Sequence, residues 1–295
     1  MIRYIGYACI NNTLRGKGKS QVYTSRSVTL RTFNISKVSD IALQNCKDLL
    51  TILKWNKENN ILFFRIGSGF FPFATHPVVG YQIEDLATYP DIVKTLGEAG
   101  NYARTHKMRL NTHPGPTTLI ASPNPKVVNL ALKDIELHAK IGNLLGQNLN
   151  YTINFHVGGP YGNKVETAKR YCNNFHKLSD NAKKMITVEN DDRKSGYTVE
   201  DLYKYIYLII GVPIVFDYHH WSLNSGKQSP EQALETALST WNNKIPDIHW
   251  SSPRNGINDV AHADYVDKII DYCPHRIYDC MLEAKMKELA VLRLR

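Results

Sequence analysis

The sequence predicts a single (β/α)8 barrel, and three observations carry that reading. Eight short β-rich runs alternate with amphipathic helical stretches along nearly the whole chain, and 295 residues is a length that suits eight such units. The first run is followed by "GYACINNT", which lacks the glycine fingerprint of an open dinucleotide-binding sheet. Parallel strands need crossover helices, and eight of them close a sheet without leaving an edge. No repeat, low-complexity tract or Pro/Gly-rich linker divides the chain, so residues 1–295 read as one domain.

In chain order the strand runs are "RYIGYAC" from Arg3, "ILFFRIGS" from Ile61, "MRLNTHPG" from Met108, "YTINFHVGG" from Tyr151, "MITVENDD" from Met185, "PIVFDYHH" from Pro213, "DIHWSS" from Asp247 and "IYDCMLEAK" from Ile277. Each is short and rich in the β-branched and aromatic residues that fit a pleated, buried surface. The clearest helical pattern between them is "SKVSDIALQNCKDLLTILKWNKENN", with Ser36 or Ser39 as N-cap and apolar side chains at Ile41, Leu43, Leu49, Leu50, Ile52 and Leu53. "PKVVNLALKDIELHAKIGNLLG", "TVEDLYKYIYLII" and "SPEQALETALSTWNN" each open on a capping residue or a proline suited to the first helical position.

Bulk properties bound the partners. A net charge of +9 favours a polyanion, nucleic acid above all. Five scattered cysteines with no CxxC read as reduced core residues. The longest apolar run, "YIYLIIGVPIVF", is broken by Gly211 and Pro213 and is shorter than the roughly 20 residues of a membrane helix. "MIRYIGYACINNT" turns polar too early for a secretory signal, so the expectation is an intracellular monomer of cytoplasm, nucleus or virion.

In a barrel the C-terminal strand ends share one mouth, and these ends carry acids and imidazoles. They are His113, His156, Glu189, Asp217 with His220, His249 and Glu283, with His76 and His262 on loops overhanging the same face. A single histidine in such a place is ordinarily structural. So many strands ending this way in one chain predict bound divalent cations, because crowded acids and imidazoles are otherwise left unsatisfied. Glu189 is the candidate bridging carboxylate, and Asp217 and His220 reach neighbouring ions as the strand opens into a loop. His219 points elsewhere, and Asp191 and Asp192 read as loop caps. Two or three bridged ions suit in-line displacement at phosphorus.

The loop "NNTLRGKGKSQVYTSRSVTLRT" carries Arg15, Lys17, Lys19, Arg26 and Arg31 without an acid, as a grip on a phosphate backbone would. Phe70, Phe71 and Phe73 of "GSGFFPFATHP" either stack on bases or pack beneath their own loop. The rival enzyme is a barrel sugar isomerase or epimerase, which also uses His, Glu and Asp around a divalent ion but needs no basic loop. A DNA-binding barrel without catalysis is the rival outside enzymes.

"GYACIN", "WNKENNILFFRIGSGFFPFATH", "THPG", "INFHVGGPYGNK", "VENDD", "FDYHH", "IHWSSP", "AHADY" and "MLEAK" resemble, in order and spacing, the UV damage endonuclease family. The resemblance implies a TIM barrel related to apurinic endonuclease IV, with up to three metals, often manganese, although Zn2+ or Mg2+ would also fit. It implies a nick in double-stranded damaged DNA immediately 5′ of a photoproduct or other lesion, leaving a 3′-hydroxyl. The implied metal ligands are His113, His156, Glu189, Asp217, His220, His249, His262 and Glu283. His76 and Lys164 fall on positions near the cluster, and Tyr7 and Asn11 on positions near a flipped-out lesion. Two positions depart from the family pattern. Pro116 and Thr117 stand where members carry a glutamine and an aromatic residue that probe the duplex, which points to an altered lesion preference, toward abasic sites. Asp247 stands where members carry a modified lysine, and is expected to serve a metal directly, through water, or not at all.

Overall fold

Each of the eight runs forms a strand, and the eight close on themselves in sequence order. In the computed structural model, which describes residues 1–16, 21–146 and 150–295, they are β1 (Ile2–Ala8), β2 (Phe63–Ile66), β3 (Arg109–Thr112), β4 (Thr152–His156), β5 (Ile186–Glu189), β6 (Ile214–Asp217), β7 (Asp247–Trp250) and β8 (Tyr278–Leu282). All pairs are parallel, and β8 returns to β1. Register matters more for function than strand length does. His156 lies opposite Glu189 across β4 and β5, and Asp217 lies opposite His249 across β6 and β7, so four chemical groups meet at one level of the barrel.

The crossovers are helical. The described helices are α1 (Asn12–Arg15), α2 (Ile35–Glu58), α3 (Tyr89–Thr105), α4 (Pro125–Leu144), α5 (Lys164–Phe175), α6 (Asp180–Met185), α7 (Val199–Leu202), α8 (Leu208–Ile210), α9 (Tyr218–Leu223), α10 (Pro230–Ser239) and α11 (Glu288–Arg293). The cap of α2 is Asn34, not Ser36 or Ser39: its side chain accepts from the Lys37 amide, while Ser39 is buried inside the helix and bonds Thr88. "TVEDLYKYIYLII" is helical as expected, but Tyr203–Tyr207 is a π-helical turn joining α7 to α8, with the Tyr203 and Tyr207 rings stacked at 5.3 Å. Gly100 lets α3 meet the end of α4, since a Cβ there would sit 1.6 Å from the Leu145 carbonyl oxygen.

The main core lies between strands and helices, whereas the barrel interior is largely polar. Ala8, Phe63 and Met281 form a small separate apolar cluster there. Near the strand starts Arg109 spans the barrel, donating to Asp279 at 3.0 Å and to the Ile245 and Pro246 carbonyls, with Asp247 at 3.6 Å. All five cysteines are free thiols. Among the described residues no helix is long and apolar enough to cross a membrane.

Candidate metal centre at the barrel mouth

Glu189 ends β5 and is 1% exposed, yet it stands among imidazoles from four other elements. Its Oε2 lies 3.5 Å from His113 Nε2 and 3.0 Å from His249 Nδ1; its Oε1 lies 3.2 Å from His220 Nδ1 and 3.9 Å from His156 Nε2. The Asn154 amide also donates to Oε2. Glu283, at the exit of β8, lies 3.3 Å from His249 Nδ1 and 3.8 Å from His262 Nδ1. Asp217 was expected at the opening of a loop. Instead its strand runs directly into α9, where its Oδ1 caps the helix by accepting from the His220 amide at 2.7 Å, which is why the two residues stay on one side. The other oxygen, Oδ2, is buried and has no hydrogen-bond partner.

Which nitrogen each imidazole offers is decided by its other contact. His113 Nδ1 meets the Pro114 carbonyl and His220 Nδ1 the Asn190 carbonyl, both at 2.9 Å. A carbonyl only accepts, so each Nδ1 carries a proton and Nε2 is the nitrogen left to offer an ion once deprotonated. His156 Nδ1 faces Asp191 Oδ1 at 3.1 Å, the carboxylate–imidazole arrangement common behind metal ligands. Asp191 does act as a loop cap, accepting from the Tyr197 amide, but its second oxygen orients a site histidine, a role that sequence reading did not give it.

Electrostatics follow from this crowding. Burial alone would raise the Glu189 carboxyl, but His249, His156 and the hydrogen bonds from His113 and His220 outweigh it and hold the group well below the usual range. Burial opposes charge on His156 too, yet Glu189 and Asp191 push it up to about 9. His220 is driven well above its ordinary value by Asp217 and Glu189 against the same burial. For His113 burial prevails and the imidazole is pushed down.

The donor set fits divalent ions. His113, His156 and Glu189 form one group, and Glu189, Asp217 and His249 another, whose candidate ligand atoms lie within 4.8 Å of one another. The bare Asp217 Oδ2 is an anionic oxygen of the kind an ion satisfies. A prediction follows from the raised imidazoles. Below about pH 9 the metal-free protein holds a proton on His156, the His220 imidazole is likewise raised well above its ordinary value, and a ligand must be deprotonated. Manganese binding at pH 7 is therefore expected to release on the order of two protons, seen as a dependence of the calorimetric heat on the buffer's ionisation enthalpy; no such dependence would count against these ligands.

The other residues singled out from the sequence lie outside the Glu189 contacts. Asp247 begins β7 a full pleat before His249 and accepts from Asn111 at 2.8 Å with Arg109 nearby, so its short arm stays below the cluster; burial raises its carboxyl. Lys164 is held by Asp201 at 2.8 Å and lies over the Tyr197 ring, away from the cluster's contacts. Tyr7 and Asn11 are buried, hydrogen-bonded to each other at 2.8 Å and onward to Asn56, with no face free for a base. Phe70 and Phe71 are buried beneath their loop, and Phe73 packs against Phe33 and His76. The Nδ1 of His76 accepts from the Val78 and Val79 amides, and its ring shares a groove of about 430 Å³ with Thr117.

Pro116 and Thr117 are exposed, and Pro116 helps line an opening of about 410 Å³ with His113, His156, Asp191, Asp192 and His220. Arg26 is not free for phosphate: Asp48 from α2 supplies the acid its own loop lacks, and the guanidinium also meets the Tyr23 and Gln21 carbonyls. Arg31 is exposed, as is Arg15 over the Tyr23 ring at 4.9 Å; Lys17 and Lys19 lie outside the described residues. His219 is buried and stands apart from the Glu189 contacts. Sequence reading missed Arg65, a buried cation in β2 that contacts both Glu283 and His249. Its signal was present, a charge in the apolar run "ILFFRIGS".

Comparison with known proteins agrees with this geometry. The family described as UV-endonuclease UvdE matches residues 3–295. The UV-damage endonuclease of Schizosaccharomyces pombe (strain 972) is 33% identical over 98% of the chain; the chain spans about half of that relative, 50% of its length. The UV DNA damage endonuclease of Bacillus mycoides (strain KBAB4) is 33% identical over 94% of this chain and 87% of its own. The crystal structure of SacUVDE superimposes with a TM-score of 0.86 at 28% identity, covering 98% of this chain and 96% of the other.

Proposed function

Since the chain belongs to the UV-endonuclease UvdE family, we propose that it is a metal-dependent endonuclease that nicks double-stranded DNA on the 5′ side of UV photoproducts or related lesions. The observation that carries the chemistry is the ring of imidazoles about the buried carboxylate Glu189 at the barrel mouth. The family match favours this over the sugar isomerase or epimerase. Two or three divalent ions, manganese in preference to zinc or magnesium, would be held by His113, His156, Glu189, Asp217, His220 and their neighbours and would supply Lewis acidity and water activation for displacement at phosphorus.

The chain's own residues do the rest. Glu189 holds the charge that keeps the imidazoles together, and Asp191 and the Pro114 and Asn190 carbonyls fix the ring faces before any substrate arrives. Arg15, Arg31 and the lysines Lys17 and Lys19 attract the backbone. The opening bordered by Pro116 receives the damaged nucleotide. Without a ring or an amide, Pro116 and Thr117 cannot fill a gap in stacked bases, which favours lesions that leave the stack with little help, abasic sites among them.

Duplexes bearing a cyclobutane dimer, a 6-4 product or an abasic site, each assayed with manganese and with chelator, test both parts. Manganese-dependent nicking abolished by chelator is expected, with the abasic duplex cut at least as fast as the dimers. Undiminished cutting in chelator would sink the metal-dependent reading, and a strong preference for dimers would sink the altered lesion preference alone.

A further inference from the structure

The chain between β7 and β8 begins as a small hairpin on the rim of the mouth. Pro253 and His262 pair as an antiparallel bridge, and the Arg254 and Ala263 amides donate to the Ala261 and Ser252 carbonyls, both at 2.8 Å. The returning arm is tied to the exit of β8, where the Lys285 and Met286 amides donate to the Ala263 and Asp264 carbonyls at 3.1 and 3.0 Å. The stem therefore stands at the candidate metal centre, with His262 Nδ1 3.8 Å from Glu283. The tip is braced as well. Asp259 accepts from the Ala261 amide through one oxygen and from the Asn255 side chain through the other, both at 2.9 Å, and its own amide donates to the Gly256 carbonyl. Gly256 makes the turn at a φ of 132°, which side chains disfavour.

What this brace presents to solvent is apolar. Ile257 is 75% exposed and Val260 60%, and neither packs against the core. Folding gains nothing from aliphatic side chains held out in water on a fixed turn. Ile257 is four positions from Pro253, a reach of at most roughly 14 Å, so it stays beside the opening. In the closed order of strands β7 lies diametrically opposite β3, so the hairpin rises on the rim across from Pro116 and Thr117. A nucleotide drawn into the mouth leaves a hole in the base stack, and Pro116 and Thr117 have neither ring nor amide to fill it. An aliphatic side chain that pries a base step apart does fill such a hole.

Resting on the nuclease reading above and deepening it, we propose that Ile257 is a wedge that enters the base stack beside the lesion, with Val260 against the same step, and that hairpin 253–262 is a specificity-determining element of the mouth. Ile257 acts on the DNA and not on the ions. It keeps the stack open while the damaged nucleotide occupies the opening at Pro116. Lesions in duplexes that are already open at that point need it least.

Two readouts test this on an abasic duplex carrying 2-aminopurine beside the lesion: single-turnover nicking in manganese, and the 2-aminopurine fluorescence on binding in chelator, which rises as stacking is lost. Wild type and Ile257→Leu are expected to brighten the probe and to nick at comparable rates. Ile257→Ser should melt and bind manganese as the wild type does, since it removes no packed side chain, yet brighten the probe little and nick roughly tenfold more slowly. Most of that loss should return on a duplex with an unpaired bulge opposite the lesion. Equal nicking and brightening by Ile257→Ser would overturn the proposal, as would a loss undiminished on the bulged duplex, a loss matched by missing ions, or a leucine variant as slow as the serine one. Nicking by a wild type that leaves the probe dark would remove the wedge and keep the nuclease; a bright probe without nicking would remove the nuclease and keep the wedge; neither signal would remove both.

Discussion

Replacing Glu189 with glutamine is expected to lower manganese-dependent nicking by about 1,000-fold or more and to strip the protein of its ions. The size follows from the several kcal/mol of charge stabilisation a metal site supplies, each 1.4 kcal/mol or so being tenfold in rate. Glutamine keeps the shape and can still accept from Asn154, but it removes the one charge shared by His113, His156, His220 and His249. Without the shared carboxylate the imidazoles lose their common anchor, and His156 keeps only Asp191 of the two carboxylates that raise it. His156→Ala removes a ligand while leaving Glu189, and is expected to act in the same direction. Single-turnover nicking with metal analysis checks both, and a rate equal to wild type in either would defeat the site assignment.

Arg109→Met is expected to be the most destabilising single change near the axis, costing about 3–5 kcal/mol because it leaves buried carboxylates without their cation. Arg109 is itself buried and serves Asp279, Asp247 and two backbone carbonyls, with its guanidinium over the Phe63 and Trp241 rings. Arg3 still reaches Asp279 at 2.6 Å, so Asp247 bears most of the loss. For a chain of this size the melting temperature should fall by roughly 10 °C. The pH dependence has a definite sign. Burial already raises the Asp247 carboxyl above its unfolded value, and removing Arg109 raises it further. A raised folded value means relief on protonation, so the deficit should be largest at neutral pH and shrink as pH falls toward and below the folded pKa. Thermal melts of both proteins across that range measure it, and coincident curves would refute the assignment.

What could be read from the residues in order was whatever depends on neighbours in the chain. Period and β-branched composition marked all eight strands, and a closing residue such as His156 or Glu189 announced itself because an acid or imidazole ending an apolar run is costly unless something holds it. Helix starts were legible to within a turn, and Ser229 does cap its helix; the start of α2 was misplaced because Asn34 lay outside the apolar periodicity used to find it.

Which charge meets which was not legible. Arg26 finds Asp48 on a following helix, Asp191 turns from cap to orienting carboxylate only because β4 ends beside it, and Tyr7 and Asn11 disappear into a buried pair. Arg65 and Glu283 are 218 positions apart and meet only because β8 returns to β1, which itself lies beside β2. The chain by itself thus determined the barrel and the chemical types at its mouth, since both arise from local period and side-chain chemistry. Only the closed sheet decided which donor faces which acceptor, because that pairing depends on strand register and on contacts between residues far apart in sequence.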